Sequence, residues 1–400
     1  MNSEPSASPT AAPPRSRKTG LRRALRITLL LLAAFVLYRA FVAFALFRGT
    51  PDGFVPPENR ATAQGYRDFK GSIHCHSHHS HDSIGTFEEI GEAARRVGLD
   101  FILVTDHISP SSVENAVTEA KEMNARSSSP LFIVGAEIGS VQHGLLAFPL
   151  TREVTDRHTH PARTIKAVHA QGGVAFISHT EKYVRWDETP MDGIEIYNLH
   201  AAERETNRAG LIVSSLILPP RQMLSTLAVP PQKNFDRWDA LLKERKLPVV
   251  GSGDAHAQHW MRIVGGTTVG IYERAFKVVT THVLAKECDE ASIVEALKHG
   301  RSYVAFDIWR DATGFQFTAT DGVNEWMMGD EIELGEKSMK FNVFSCGEGE
   351  IRLLKNGEQV DVADGSSGGA SLEVRGAGVY RVEVYLRGKL WIISNPIYVR

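Results

Sequence analysis

Residues 73–107 read IHCHSHHSHDSIGTFEEIGEAARRVGLDFILVTDH, and one full strand-helix-strand step is legible in them. Thr86-Phe87-Glu88-Glu89 is a capping box: the threonine side chain accepts a backbone N–H three residues on, and the glutamate reaches back to the threonine N–H. It opens a helix with apolar positions at Phe87, Ile90, Ala94 and Val97, and Gly98 supplies the left-handed residue that ends it. The β-rich run Phe101–Val104 comes at once after it. Short apolar runs recur at Leu131–Val134, Val174–Ile177, Gly193–Ile196 and Leu247–Val250, each bounded by polar residues or glycine. This rhythm, kept from about 69 to 310, predicts an α/β fold.

Candidate metal ligands keep a fixed phase to these runs. Of 16 histidines, five fall between 74 and 81, a density that an ordinary core or solvated surface does not explain. His74 and His76 sit on the segment that starts at Ile73, and strand alternation predicts that both point to one face. His107 comes just after Phe101–Val104, Glu137 after Leu131–Val134, His179 after Val174–Ile177, and Asp254 with His256 after Leu247–Val250. In an α/β barrel the C-terminal ends of the strands gather on one face, so residues remote in sequence would meet there. Mixed imidazole and carboxylate ligation suits Zn, Mn or Fe rather than Mg or Ca. The set is too large for one tetrahedral ion, which predicts two or three divalent ions.

The same residues carry a family resemblance. His74-Cys75-His76-Ser77, with Ser80 and Asp82-Ser83 downstream, resembles the opening motif of the polymerase and histidinol phosphatase (PHP) family of metal-dependent phosphoesterases. Thr105-Asp106-His107, Gly135-Ala136-Glu137, Ile177-Ser178-His179 and Gly253-Asp254-Ala255-His256 resemble its later motifs, in order, over roughly 70–310. Thr180 stands where the family usually has proline. The resemblance implies a distorted (β/α)7 TIM-like barrel with metal ligands His74, His76, Asp82, His107, Glu137, His143, His179, Asp254 and His256, Glu137 bridging two ions. His79 and His81 compete with Asp82 for its place, which Asp82 fits better. Gly300-Arg301-Ser302-Tyr303-Val304 and Trp391…Ser394-Asn395-Pro396 resemble exported members that add a β-sandwich, a branch with carbamate-hydrolase relatives.

The implied activity is hydrolysis of a small-molecule phosphate ester by a hydroxide held between metals, whose charge lowers the pKa of bound water. Lys182 and Arg185, just after His179, are candidate phosphate contacts, although exposed basic residues are usually only solvated. Two rival readings keep the ligands: hydrolysis of a carboxyl ester, carbamate or amide, and a membrane-anchored binding protein with structural metals. Asp106 is read either as a ligand or, in preference, as an acceptor that orients a histidine. His169, His200, His282 and His299 take the ordinary reading of core or surface residues, and His158-Thr159-His160 that of a loop.

The rest of the chain bounds these readings. Residues 1–26 form a basic, Ser/Pro/Ala-rich tail expected to be disordered and cytoplasmic. Ile27–Phe47 carries only one charge, Arg39, and at about 1.5 Å per residue would span roughly 30 Å, predicting a membrane anchor or a cleaved signal peptide ending at Ala43-Phe44-Ala45. The basic flank places the chain beyond residue 48 outside the cytoplasm. Arg39 opposes the anchor by about 2.5–3.5 kcal/mol. Residues 48–68 read as a linker. From 311 to 400, alternating runs such as Tyr380-Val382-Val384-Leu386 and the turn Asn356-Gly357 predict an all-β sandwich module whose protein partner the sequence does not name. With Lys+Arg 45 against Asp+Glu 47 and no basic track, nucleic acid is excluded as a partner. Cys75, Cys288 and Cys346 lack the spacing of a disulfide framework or thiolate site.

Overall fold

The computed structural model describes residues 17–48, 62, 64–139, 144–155, 160–186, 189–207, 210, 214, 218, 220–259, 261, 267–333, 339–345 and 347–400; the side chains of 17–19, 39–48 and 220 lie outside that description. Two compact units result, Met1–Phe54 and Val55–Arg400.

The first unit holds one helix, α1 (Arg17–Arg48). Its leucines, alanines and arginines are strong helix formers. Among the described residues no helix is long and apolar enough to cross a membrane. The expected span Ile27–Phe47 is therefore not supported. In the described part of the helix, Arg22, Arg23 and Arg26 share one short stretch with the apolar run, and residues 39–47, with Arg39, lie outside the described side chains. Residues 1–16 of the tail and 49–61 of the expected linker also lie outside the described residues.

The second unit begins with β1 (Arg67–Cys75), α2 (Phe87–Val97), β2 (Phe101–Val104), α3 (Ser112–Arg126), β3 (Leu131–Val134), β4 (Ala136–Gly139), β5 (Gly144–Phe148), α4 (Pro161–His169) and β6 (Val174–Ile177). It continues through β7 (Gly193–Asn198), α5 (Leu199–Glu205), α6 (Pro220–Ser225), α7 (Gln232–Leu242), β8 (Val249–Ala255), α8 (Thr268–Phe276), β9 (Thr280–Ala285), α9 (Glu290–His299) and β10 (Ser302–Ala305). The sequence pattern is realised locally. Thr86 Oγ1 accepts the Glu89 N–H at 3.2 Å, Glu89 Oε2 accepts the Thr86 N–H at 3.1 Å, and Gly98 closes α2 at φ 70°.

The strands run parallel in the order β3-β2-β1-β8-β7-β6; β5 pairs antiparallel with β6, and β4 antiparallel with β5. Alternate residues face two apolar layers: Phe101 and Leu103 join one core, while Ile102 and Val104 pack with Phe87 and Ile90 of α2 in the other. Burial on both faces is why these strands read as continuous apolar runs. Only Gly135 separates β3 from β4, and a bridge between His107 and Glu137 links β4 to the end of β2.

The sheet does not stop there. The first half of β1 pairs antiparallel with β9, β9 with β10, and β10 with a late strand of the chain, β19. The C-terminal strands are β11 (Gln316–Thr320), β12 (Glu325–Met327), β13 (Glu331–Ile332), β14 (Lys340–Phe344), β15 (Glu350–Lys355), β16 (Glu358–Asp364), β17 (Gly369–Glu373), β18 (Gly378–Leu386), β19 (Lys389–Ser394) and β20 (Ile397–Val399). β12-β11-β14-β17 form a second sheet; the other six extend the first. The two face each other where Phe341 of β14 meets Tyr380 of β18, ring centroids 4.8 Å apart. The fold is thus mixed α/β, with a large sheet and a β-rich C-terminal region continuous with it.

Candidate metal centre

Three candidate ligand positions have backbones that side chains rarely adopt. His74 has φ 65°, His179 φ 50° and Asp254 φ 45°, in the left-handed region that costs a non-glycine residue of order 1–3 kcal/mol. All three sit at the ends of parallel strands. At His74 the register of β1 shifts against both β2 and β8, so the residue occupies a bulge. Plain strand alternation therefore does not account for the pairing of His74 with His76: His74 has a left-handed backbone where the register shifts, and His76 already lies beyond β1. Asp254 lies inside β8 rather than after it, and Glu137 inside β4.

These ends bring the predicted residues together. His74 Nε2 stands 3.2 Å from Glu137 Oε2 and 3.3 Å from Asp254 Oδ1; His76 Nε2 stands 3.5 Å and 3.2 Å from the same two oxygens. His179 Nε2 is 3.1 Å from Glu137 Oε1 and 3.5 Å from Asp254 Oδ2. His107 Nε2 is 3.4 Å from Glu137 Oε2 and 3.4 Å from Asp82 Oδ2. Three overlapping groups are able to hold a metal ion: His74 with His76 and Asp254, His74 with Glu137 and His179, and His76 with Asp82 and His107.

The separations favour ligation over direct hydrogen bonding. Two ligands about 2.1 Å from a tetrahedral ion stand about 3.4 Å apart. His74 Nε2 is fully buried and makes no hydrogen bond although two carboxylate oxygens are near. Its other nitrogen, Nδ1, is instead 2.8 Å from Glu195 Oε1, an ordinary hydrogen bond. One ring thus has a bonded side and an orphaned side, which is how an orienting carboxylate fixes a ligand imidazole. The charge balance agrees. Burial opposes charge on His179, but Glu137 and Glu181 outweigh it and push the imidazole up to about 10. Burial would raise Glu137 and Asp254, yet the histidines, His74 first, hold both well below the usual carboxylate range. The two acids are anionic and demand positive charge between them, which divalent ions on neutral imidazoles would supply. The residues present fit such ions.

Other expected residues fall at the edge or outside. His256 belongs to none of the three groups: its ring is 5.9 Å from that of His76 and its Nδ1 donates to the Asp254 carbonyl at 2.9 Å. His143 lies outside the described residues, as does His158. Lys182 is exposed, with Nζ 3.8 Å from Glu181. Arg185 accepts the Thr189 hydroxyl on its carbonyl. Of the two rivals of Asp82, His79 pairs with Glu119 at 2.9 Å, and the His81 ring lies 4.8 Å from that of His107, tilted by 40°. Among the described residues Asp106 bonds no histidine ring; it accepts the Ser77 N–H at 2.5 Å and hydroxyl at 2.6 Å and so fixes the turn after β1.

Several residues went unread in the sequence. Glu195, fully buried in β7, accepts from His74 Nδ1, from the His179 N–H at 2.8 Å, from Ser252 Oγ at 2.5 Å and from Asn198 Nδ2 at 3.0 Å. Asn198 also donates to Asp254 Oδ2 at 3.3 Å. His200, read as an ordinary histidine, stands 4.5 Å from the His256 ring. The available signal was an acid in the middle of an apolar strand, Ile194-Glu195-Ile196.

Residues 72–219 match the family model described as PHP domain, bearing out the resemblance carried by the sequence motifs. Similar solved structures include a two-domain protein from Bacteroides vulgatus containing a predicted PHP-like metal-dependent phosphoesterase, 16% identical, covering 86% of this chain and 100% of that one at TM-score 0.45. A protein from Bifidobacterium adolescentis, described without established activity as a metal-dependent phosphoesterase, is 16% identical and covers 50% and 90% at TM-score 0.28. PsfC from Pseudomonas syringae is 13% identical and covers 60% and 91% at TM-score 0.36. No curated protein matches the sequence.

Proposed function

We propose, from the PHP domain over residues 72–219, that this chain is a metal-dependent hydrolase of small phosphate esters. Its ligands are His74, His76, Asp82, His107, Glu137, His143, His179, Asp254 and His256, holding two or three Zn, Mn or Fe ions. One observation carries the reading: the two oxygens of Glu137 face different imidazoles, Oε2 those of His74, His76 and His107 and Oε1 that of His179. A carboxylate so placed suits a bridge between neighbouring ions. Bound ions would lower the pKa of a water and neutralise charge developing on a phosphoryl group. The chain's own part is to orient the ligand rings through Glu195 and Glu181 and to shut solvent from the buried side, with Lys182 and Arg185, close after His179 in sequence, as the proposed phosphate contacts.

The (β/α)7 barrel belongs to the same reading. Its support is the pairing path β1-β2-β3, across Gly135 to β4, then β5-β6-β7-β8 and back to β1. Placement outside the cytoplasm is also part of it, and rests on the order of basic flank and apolar run alone; a reporter enzyme active only after export, fused behind residue 68, checks it.

A substrate panel tests the function. Purified protein is expected to turn over an aryl phosphate, to lose at least 100-fold of that rate on chelation, and to regain it with added Mn or Zn. Preference for aryl carboxyl esters or carbamates would replace the phosphate assignment, and full activity after chelation would end the metal assignment.

A further inference from the structure

The turn that leaves β1 carries histidines on both of its sides. His76 faces the metal centre, and Ser80 of the same turn, 3.3 Å from His76 Nδ1, donates to Asp82 Oδ1 at 2.6 Å. His78 and His79 face the other way, towards Glu119 of α3. His79 Nε2 is 2.9 Å and His78 Nε2 3.5 Å from one and the same oxygen, Glu119 Oε2. Their rings are 4.1 Å apart and inclined by 37°. All three donor atoms fall within 4.8 Å of one another.

An ordinary hydrogen-bonded pair explains half of this. His79 and Glu119 need no third member, yet His78 also brings its Nε2 towards the same oxygen, at 3.5 Å, longer than an ordinary hydrogen bond. Two protonated imidazoles so close would repel, whereas two neutral ones and a carboxylate make a two-histidine, one-carboxylate donor set of the kind that takes divalent transition metals. The donors are also held from behind. The His78 N–H donates to the Gly85 carbonyl at 2.8 Å, and the His79 N–H to Ser77 Oγ at 3.2 Å, which is itself anchored on Asp106. Fixed backbones under convergent side chains are what a preorganised site requires. The side chains of His78, His79 and Glu119 are 38%, 16% and 29% exposed, in contrast to the fully buried His74, so an ion has a direct path from solvent.

We propose that His78, His79 and Glu119 form a peripheral binding site for a divalent transition metal such as zinc, separate from the central cluster. An ion there would tie α3 to the turn that bears Asp82, and the inference does not depend on what the central site hydrolyses. Zinc alone is the probe. Crystals of the full chain equilibrated with zinc should show an anomalous peak among His78, His79 and Glu119, in addition to any peaks around Glu137. Glu119→Gln, an isosteric change at a partly exposed position, should bind one zinc fewer per chain and lose that peak while the central peaks persist. Equal zinc content in the two proteins, or a zinc-saturated wild-type crystal without a peak there, would overturn the proposal; the second readout needs no variant.

Discussion

Glu195 shows how much of the candidate centre depends on a residue that touches no proposed ion. Its carboxylate accepts four hydrogen bonds and sets the direction of His74 and the strained backbone of His179. Glutamine keeps the shape but turns one acceptor into a donor, which collides with the donors that now converge there. Glu195→Gln is expected to lower metal affinity by about 10–100-fold, the usual cost of losing such a partner, in competition with a chelator. Unchanged affinity would make Glu195 a packing residue. Legibility at this scale was uneven. His107, Glu137, His179 and Asp254 were singled out because each comes soon after an apolar run, His74 and His76 by their spacing after Ile73, and Asp82 by the resemblance alone; the structure brings these seven side chains together. Glu195, Asn198 and His200 were not singled out, because their role comes from which strand lies beside which, and local pattern does not encode that. The left-handed backbones of His74, His179 and Asp254 were invisible for a related reason: L-residues adopt them only where the surroundings impose it.

At the scale of elements, β2, β3 and β6 were delimited to the residue, since each is four apolar residues between polar or glycine neighbours. β4 was missed. Its four residues Ala136–Gly139 include Glu137 and lack a β-rich run, and the strand exists because β5 offers it a ladder. Gly135 is the joint that lets the chain leave β2 for β5. A Cβ there would lie 2.4 Å from the Ala147 carbonyl oxygen and 2.9 Å from Phe148 Cβ, both on β5. Gly135→Ala must therefore push β4 away and carry Glu137 with it. We expect a loss of about 1–3 kcal/mol in stability from overpacking and, because misplacement of about 1 Å costs near 100-fold, a much larger loss in turnover. Denaturant titration beside kinetics checks this; an activity loss no greater than the stability loss explains would show that Glu137 does not depend on the joint.

For the whole molecule, the expected boundary near 310 cuts through a continuous structure. β10 pairs with β19, and the Asn395 side chain accepts the Val249 N–H at 2.8 Å while donating to the Val249 carbonyl at 3.0 Å. Arg381 of β18 reaches Asp239 of α7 with two bonds, at 2.9 and 2.8 Å. A buried ionic network lies along β1, β9 and β10. Lys70 Nζ is 2.6 Å from Asp307 and 2.9 Å from Asp311, and His282 Nδ1 is 3.0 Å from Asp68, which also accepts the Tyr303 hydroxyl. His282 was read as an ordinary core or surface histidine, and its pairing with Asp68, 214 positions away, is not encoded in local pattern. Burial disfavours its charge, but Asp68 and Asp307 outweigh burial and push it up to about 10 from an ordinary 6.5. A raised pKa stabilises the fold fully below 6.5 and loses that contribution as pH climbs through 10. Metal-loaded protein should therefore melt at falling temperature between pH 6.5 and 10, and His282→Gln should flatten part of that slope. An identical slope in the variant would mean that His282 is already neutral at about pH 7.

The most direct test of the central claim is an anomalous-difference map of the full chain loaded with manganese or zinc. The account predicts two or three peaks enclosed by His74, His76, Glu137, His179 and Asp254, with Glu137 between two of them. A map with no density among these side chains, in protein that still hydrolyses its substrate, would contradict it.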